Sequence, residues 1–432
     1  MKTIFKSIAI YILLIICFVL FNYAAAMIPQ TLVRENMTES AGYLCEDIVF
    51  PQVIDGVKAT TIDRYADSIT CNIAWNLGEG DTLKSIMLDE FYTSEKYNEN
   101  KNFRSAVLGE ETEGGEITQY MRYWHGSASV VRILHLILSL KSIYILNAVI
   151  LTSLAAFIIF RFAVKKLYDC IIGFLLGLIL TSSWFVPLSL EYTWVYLVFM
   201  ADMLIVMTLH DRKREDLYIY LFLASGMITC FLDFLTTETL ALTMPLLLTI
   251  RLNFQNSNIK FMAKNALSWG IGYVGCWVSK WIIAAAVLGE NVMPYISGHI
   301  AERLGGNIGD VPEMSLFAYI YSALMQNISV LFPAGYGTGG VFAGVAVLIA
   351  IAYFAYVYRK KEYDRAVPRS YLLIALIPYV RYIVLHNHSY IHHFFTCRAQ
   401  SAVFMALILA AFHVAELPGK RSRRVAGKKR KE

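Results

Sequence analysis

The charge of this chain is sorted along its length: about ten apolar runs are separated by loops that alternate between basic and acidic. Residues Ile28 to Arg122 hold seventeen Asp and Glu against eight Lys and Arg, a net of −9, so with +5 overall the remainder sums to +14. Lys and Arg are retained on the cytoplasmic side of a membrane, whereas acidic loops translocate with little penalty. The pattern therefore predicts that the acidic loop lies outside and the basic connectors inside.

A chain of 432 residues that is 57% hydrophobic and 16% charged, with mean hydropathy +0.51, exceeds what one soluble core can bury. Continuous runs near the roughly 20 apolar residues of a spanning helix point to an all-α polytopic membrane protein, since a barrel would show short alternating segments. Spans are expected near 6–26, 142–162, 168–186, 192–209, 217–236, 238–252, 265–288, 339–357, 371–386 and 399–415. That predicts a multi-pass plasma-membrane protein with about ten crossings and both termini cytoplasmic. Six connectors agree in sign: Lys2 and Lys6; Arg161 to Lys166; Arg212 to Arg214; Arg251 to Lys264; Arg359 to Arg369; and the tail from Lys420. The expected organisation is a first span over 1–27, an extracytoplasmic loop over 28–140, a bundle over 141–288, an outer loop over 289–338, a second bundle over 339–416 and a basic tail over 417–432. Ala24 to Ala26 could mark a signal-peptide cleavage site, but the apolar stretch Ile8 to Met27 is longer than the roughly 7–15 residues of a signal peptide and favours an anchor.

Two further apolar segments are expected to lie at the interface. Ser315 to Pro333 carries Gln326 and Asn327 and has no basic connector after it; it is followed by the glycine-rich Gly335 to Gly340. Ser127 to Leu140 carries Arg132 and His135 about one turn apart.

The chemistry then falls mostly on the outer side. Asp233 and Glu238 sit in a short turn between apolar runs, where a carboxylate is costly and faces a cavity or partner. Glu191 is as well explained as a solvated turn residue. The last outer turn holds Arg381 and His386 to Arg398, with four of the nine His within eight positions. Three readings stay open there: a divalent metal, with His388 and His392 sharing a helix face; an interfacial headgroup layer; or an anionic lipid phosphate held by Arg381 and Arg398 with His donors. In the acidic loop, Asp63 and Asp67 are four apart, on one face if helical. Cys45 and Cys71 bracket them and are expected to pair in an oxidising compartment. Tyr120 to Gly126, with Trp124 and His125, combines rings and polar groups suited to a sugar or a lipid headgroup, or to an aromatic belt. The stretch Glu95 to Glu116 reads as a mobile excursion.

A phosphate-binding Walker loop, a dinucleotide Gly fingerprint and a Gly-x-Ser-x-Gly elbow are missing, which argues against an ATP-driven pump and a serine hydrolase. Nothing suggests a nucleic-acid partner. No inverted repeat is evident, and few ionisable residues occur within the spans, Asp202 and Lys280 being the main exceptions; both points weigh against a lipid or polysaccharide transporter or flippase. A non-catalytic membrane scaffold stays open as well.

One span, a large polar first loop, further spans and a late outer loop with an interfacial helix together resemble the GT-C group of integral-membrane glycosyltransferases. Locally, Tyr123 to Gly126, Asp233 to Thr236, and His388 to His392 with Phe394 to Arg398 also look like segments of multispanning proteins of Gram-positive bacteria. The resemblance implies transfer of a sugar from a polyprenyl-phosphate carrier to an envelope glycan or lipid acceptor, with inversion and a first-loop carboxylate as general base. Asp63 and Asp67 are the candidates; Glu35, closer to the first span as in that family, is the alternative. Trp124, His125, Asp233, Arg381, His388, His392 and Arg398 are the expected substrate contacts. Membrane lipids are the surrounding partners.

Overall fold

The structure, a computed structural model, describes residues 2–110, 112–305, 314–331 and 338–416. The basic tail beyond 416 and the first half of the glycine-rich segment lie outside the described residues. In chain order the helices are α1 (Lys2–Ala26), α2 (Gln30–Cys45), α3 (Arg64–Asn76), α4 (Thr82–Leu88), α5 (Glu99–Leu108), α6 (Gly126–Leu134), α7 (Leu140–Val164), α8 (Tyr168–Leu180), α9 (Leu190–Asp211), α10 (Tyr218–Leu232), α11 (Thr239–Leu252), α12 (Ile259–Leu288), α13 (Met293–Gly305), α14 (Leu316–Ser329), α15 (Thr338–Val357), α16 (Ala366–Ala375), α17 (Ile377–Val384), α18 (His386–Ile391), α19 (His393–Thr396) and α20 (Ser401–Val414). One small antiparallel pair, β1 (Phe91–Thr93) and β2 (Glu116–Thr118), completes the fold.

Among the described residues seven helical segments are long and apolar enough to cross a membrane: Lys2–Ala26, Leu140–Val164, Leu190–Asp211, Glu215–Leu232, Ile259–Leu288, Ala366–Val384 and His393–Val414. The other three expected spans are also helical but shorter, at Tyr168–Leu180, Thr239–Leu252 and Phe342–Val357. The chain is thus a helical protein built to pass a membrane several times. Its basic connectors gather at one end of the bundle. There Arg161 and Lys165 both pair with Asp211, Arg251 pairs with Asp169, and Ser370 donates to the Ser257 carbonyl.

At the other end, the described residues of 28–139 form a cap whose core is shared with the starts of α7 and α9. Asp81 and Asn98 cap α4 and α5, each accepting from backbone amides of the first turn. The stretch expected to be mobile instead forms α5 and β2, with Phe103 fully buried. The expected interfacial helix over 127–140 is corrected too: α6 is buried inside this unit. Arg132 reaches the carbonyls of Ala74 (2.5 Å) and Trp75 (3.0 Å), at the negative end of α3, and that of Ile28. Exposure is confined to the turn that follows α6, at Leu136 and Ile137. Cys45 and Cys71 are separate thiols, which corrects the expected disulfide. Cys71 is sealed in the apolar core of the unit, while Cys45 turns its Sγ to the Asn100 carbonyl.

The late segment α14 is helical, with one face exposed and one turned inward. Phe317, Tyr321, Met325 and Ile328 form one exposed apolar face, while Tyr319, Ala323 and Asn327 turn inward against the His-rich turn.

Helices α10 and α12 form the most extensive pair. Their closeness depends on two glycines: a Cβ on Gly226 would stand 2.1 Å from the Trp269 carbonyl oxygen, and one on Gly272 2.2 Å from that of Leu223. Small residues let membrane helices approach in this way. Backbone carbonyls in a helix cannot give way, so Gly226→Ala or Gly272→Ala is expected to force the pair apart. The expected cost is about 1–3 kcal/mol, as for other overpacked cores. A lowered thermal midpoint of the purified protein checks this; an unchanged midpoint in both variants contradicts it.

Candidate functional site

The polar residues singled out in the sequence converge where the first-loop unit meets the helix ends. Asp67, in the first turn of α3, reaches across to the start of α9. Its carboxylate accepts from Leu190 N (2.9 Å), Glu191 N (3.2 Å), Ser189 Oγ (3.0 Å) and Tyr144 Oη (2.5 Å). An anion at a helix N-terminus meets the unpaired amides and the positive end of the dipole. With its lone pairs so engaged, Asp67 is a docking residue between α3, α7 and α9.

One turn earlier, Asp63 caps α3, accepting from Ala66 N at 2.8 Å. It lines the same cavity as Glu191, and the two carboxyl groups influence one another's protonation. Burial raises the Asp63 carboxyl to about 7, opposed by the Ala66 amide, reinforced by the charge of Asp67 and lowered in part by the neighbouring Glu191. Burial likewise raises Asp67 to about 6 against its four donors. Glu191, which the sequence left as readily explained by a solvated turn, is therefore buried; its Oε2 has no hydrogen-bond partner.

Asp63 and Glu191 form one wall of a cavity of about 310 Å³. His388 and His392, their rings 4.5 Å apart, come from the late turn, and Arg122 from the return of the first loop. Aromatic rings fill much of the remaining wall, among them Tyr65, Tyr120, Tyr123, Phe234 and Phe395. Arg122 lies over the Tyr120 ring, 4.3 Å from its centroid, and donates to its hydroxyl at 2.7 Å. A carboxyl pair facing a cation and imidazoles between aromatic walls can take up a proton on one side and bind an anion or a sugar ring on the other.

Other expected contacts stand elsewhere. Trp124 is fully buried below the cavity, its Nε1 donating to the Cys276 carbonyl at 2.8 Å. His125 is buried with a left-handed backbone (φ 48°) and its Nε2 on the Tyr120 carbonyl. Neither lines the cavity; Arg122 and Tyr123, two residues earlier, do. Asp233 accepts from the amide and hydroxyl of Thr236, closing the turn that presents Phe234. Arg381 is behind the wall, paired with Glu238 at 2.9 Å. Arg398 is buried between the Phe185 and Tyr192 rings and donates to the Ala59 carbonyl at 3.0 Å. Glu35 is exposed on α2, away from the cavity. Among the described residues, no three or more His, Cys, Asp or Glu side chains are grouped so as to hold a metal ion. Lys280, one of the two main ionisable exceptions within the expected spans, pairs with Asp89 at 2.7 Å.

Compared with models of known protein families, with characterised proteins and with solved structures, the chain matches none.

The raised Asp63 carboxyl gives a signed prediction. The folded state holds its proton up to about pH 7, whereas an unfolded Asp loses it near 3.8. In that window the folded state binds more protons, so stability falls as pH rises from about 4 to 7 and then levels. Asp67 and Asp89, raised to about 6 and 7, add slopes of the same sign, so the difference between wild type and Asp63→Asn isolates Asp63. Midpoints measured from pH 5 to 8 are expected to fall more steeply for wild type; parallel curves contradict the assignment.

Proposed function

We propose that this protein is a membrane glycosyltransferase that moves a sugar from a polyprenyl-phosphate carrier to an envelope glycan or lipid acceptor, with inversion at the sugar carbon. One observation carries the reading. Two carboxyl groups, Asp63 and Glu191, line one cavity at the helix ends together with Arg122, His388 and His392. In this reading the three shorter apolar helices also cross, giving about ten spans in the plasma membrane. Both termini are cytoplasmic, and the cavity opens on the outer face, where lipid-linked sugars and acceptors meet.

The chemistry is a displacement. The acceptor hydroxyl hydrogen-bonds to the charged member of the carboxyl pair; its proton passes to that carboxylate as its oxygen bonds to the sugar carbon. The bond from that carbon to the carrier phosphate breaks, and its electron pair leaves with the phosphate oxygen. A carboxyl raised to about 7 is matched to proton transfer near neutral pH. Arg122 and the imidazole donors face the charge that gathers on the departing phosphate. The aromatic walls suit the apolar faces of a sugar ring. Asp67, expected as a base beside Asp63, serves here to hold the pair in register; Trp124, His125, Asp233, Arg381 and Arg398 support the walls from behind.

Analysis of lipid-linked sugars and surface glycan in cells lacking the protein tests this. Accumulated carrier-linked sugar and a missing glycan residue are expected, both reversed by wild type. Asp63→Asn and Glu191→Gln should each lower transfer by about 10²–10⁴-fold, the usual worth of a general base, at unchanged protein level. Membranes assayed with and without a chelator decide whether a divalent metal takes part. Full rescue by the Asp63→Asn, Glu191→Gln double variant removes the base, and an unchanged glycan and lipid pool removes the function.

A further inference from the structure

Among the rings of the cavity, Tyr123 and Phe395 are buried in its wall, whereas Phe50 and Tyr65 stand at its mouth, each 39% exposed. These two rings are nearly parallel, 13° apart with centroids at 5.8 Å. That is an offset stack, which leaves part of each face uncovered. Backbone bonds hold the pair in place. The amides of Arg64 and Tyr65 both donate to the Val49 carbonyl, at 3.0 and 3.2 Å, and the amide of Ile62 donates to that of Pro51 at 2.8 Å. Phe394, from the late turn, meets Phe50 edge-on at 5.7 Å. The platform is thus exposed and yet fixed before any ligand arrives, which lowers the ordering cost of binding.

The wall behind the platform decides what the rings receive. Asp63 lies two residues before Tyr65, and Glu191 is buried in the same wall with its Oε2 lacking a hydrogen-bond partner among the described residues. A hydrocarbon guest would cover the rings and leave that oxygen unpaired, which is costly. A sugar ring meets both demands: its C–H face lies on an aromatic face, and its hydroxyls reach the carboxyl oxygens. Size sets the position of that sugar. A cavity of about 310 Å³ is at the low end for small-molecule sites. With the donor sugar and its phosphate inside, an acceptor enters with little more than its reacting hydroxyl and keeps its body at the mouth.

We infer that Phe50 and Tyr65 form an acceptor subsite that stacks a sugar ring at the cavity mouth, so that the acceptor is a carbohydrate and not a lipid alcohol. The carbohydrate site stands without the transferase reading; its role as the acceptor site rests on it. A sugar laid on Tyr65 has a hydroxyl beside Asp63, the carboxyl that begins the same helix.

Binding to the full-length protein in lipid nanodiscs tests this, with oligosaccharides released from the surface glycan of cells lacking the protein as the probe. Wild type is expected to bind them, and Phe50→Ala and Tyr65→Ala each to weaken binding roughly tenfold, the worth of one stacked ring. Phe50→Tyr and Tyr65→Phe keep the rings and are expected to stay within about threefold of wild type. Undecaprenyl phosphate, measured in parallel, is expected to bind all four variants as it binds wild type, which a general loss of structure would not allow. Equal oligosaccharide affinity in wild type and both alanine variants overturns the subsite. A wild type that binds no oligosaccharide overturns the inference as a whole, and if it still binds the carrier and transfers sugar to a lipid alcohol, the transferase reading survives. Ring-dependent oligosaccharide binding by a protein that neither binds the carrier nor transfers sugar overturns the acceptor role together with the transferase reading.

Discussion

The arrangement of the site depends on the capping of α9 by Asp67. The amides of Leu190 and Glu191 begin a helix whose N-terminus is buried under the first-loop unit, where water cannot serve them. A carboxylate supplied from α3 meets that need, and the same contact fixes α3 against the bundle. Asp63, one turn before Asp67, and Glu191, the second residue of α9, are then brought side by side. The carboxyl pair at the cavity is thus the geometric consequence of two helices sharing one cap.

The balance of buried charge explains why that pair stands out. Leaving a charge unpaired in a low-dielectric interior is costly, and most buried carboxylates in this protein are matched. Glu238 has Arg381, Asp89 has Lys280, Asp169 has Arg251, and Asp67 has its ring of donors. Asp63 accepts from one amide, and among the described residues neither it nor Glu191 has a cation in salt-bridge contact. Burial without a cation favours the protonated form of Asp63. Arg398, by contrast, is a buried cation whose surroundings are rings and a carbonyl, an arrangement suited to packing the late turn against the first loop.

The spans were legible because hydropathy is a local signal: each of the ten apolar runs is helical, and seven helical segments among the described residues are long and apolar enough to cross a membrane. The sign of the connectors was legible for the same reason, and Arg161, Lys165 and Arg251 pair with Asp211 and Asp169 at one end of the bundle. Asp63 was legible from its spacing to Asp67. Glu191 was not, because what separates it from a solvated turn residue is a partner 128 positions earlier. Trp124 and His125 were chosen over Arg122 and Tyr123 because composition alone does not say which side of a short loop faces a cavity. Arg132 and His135 looked interfacial because a helix with one cation and one imidazole has the same pattern whether lipid or protein covers it; only the carbonyls at the end of α3 decide.

These long-range contacts also set the order in which the molecule can be completed. The first-loop unit is synthesised before the spans that finish it. Asp67 waits for Leu190, Asp89 for Lys280, and the Ala59 carbonyl for Arg398. Val57 and Ala59 cluster with Leu180, Val330, Leu331, Cys397 and Phe404, so this part of the loop finds its apolar partners only in helices that come later in the chain. A unit that leaves a buried carboxylate and an apolar turn unmatched is not stable alone. The loop and the bundle therefore fold as one body, and the cavity between them forms only when the His-rich turn closes over the carboxyl pair.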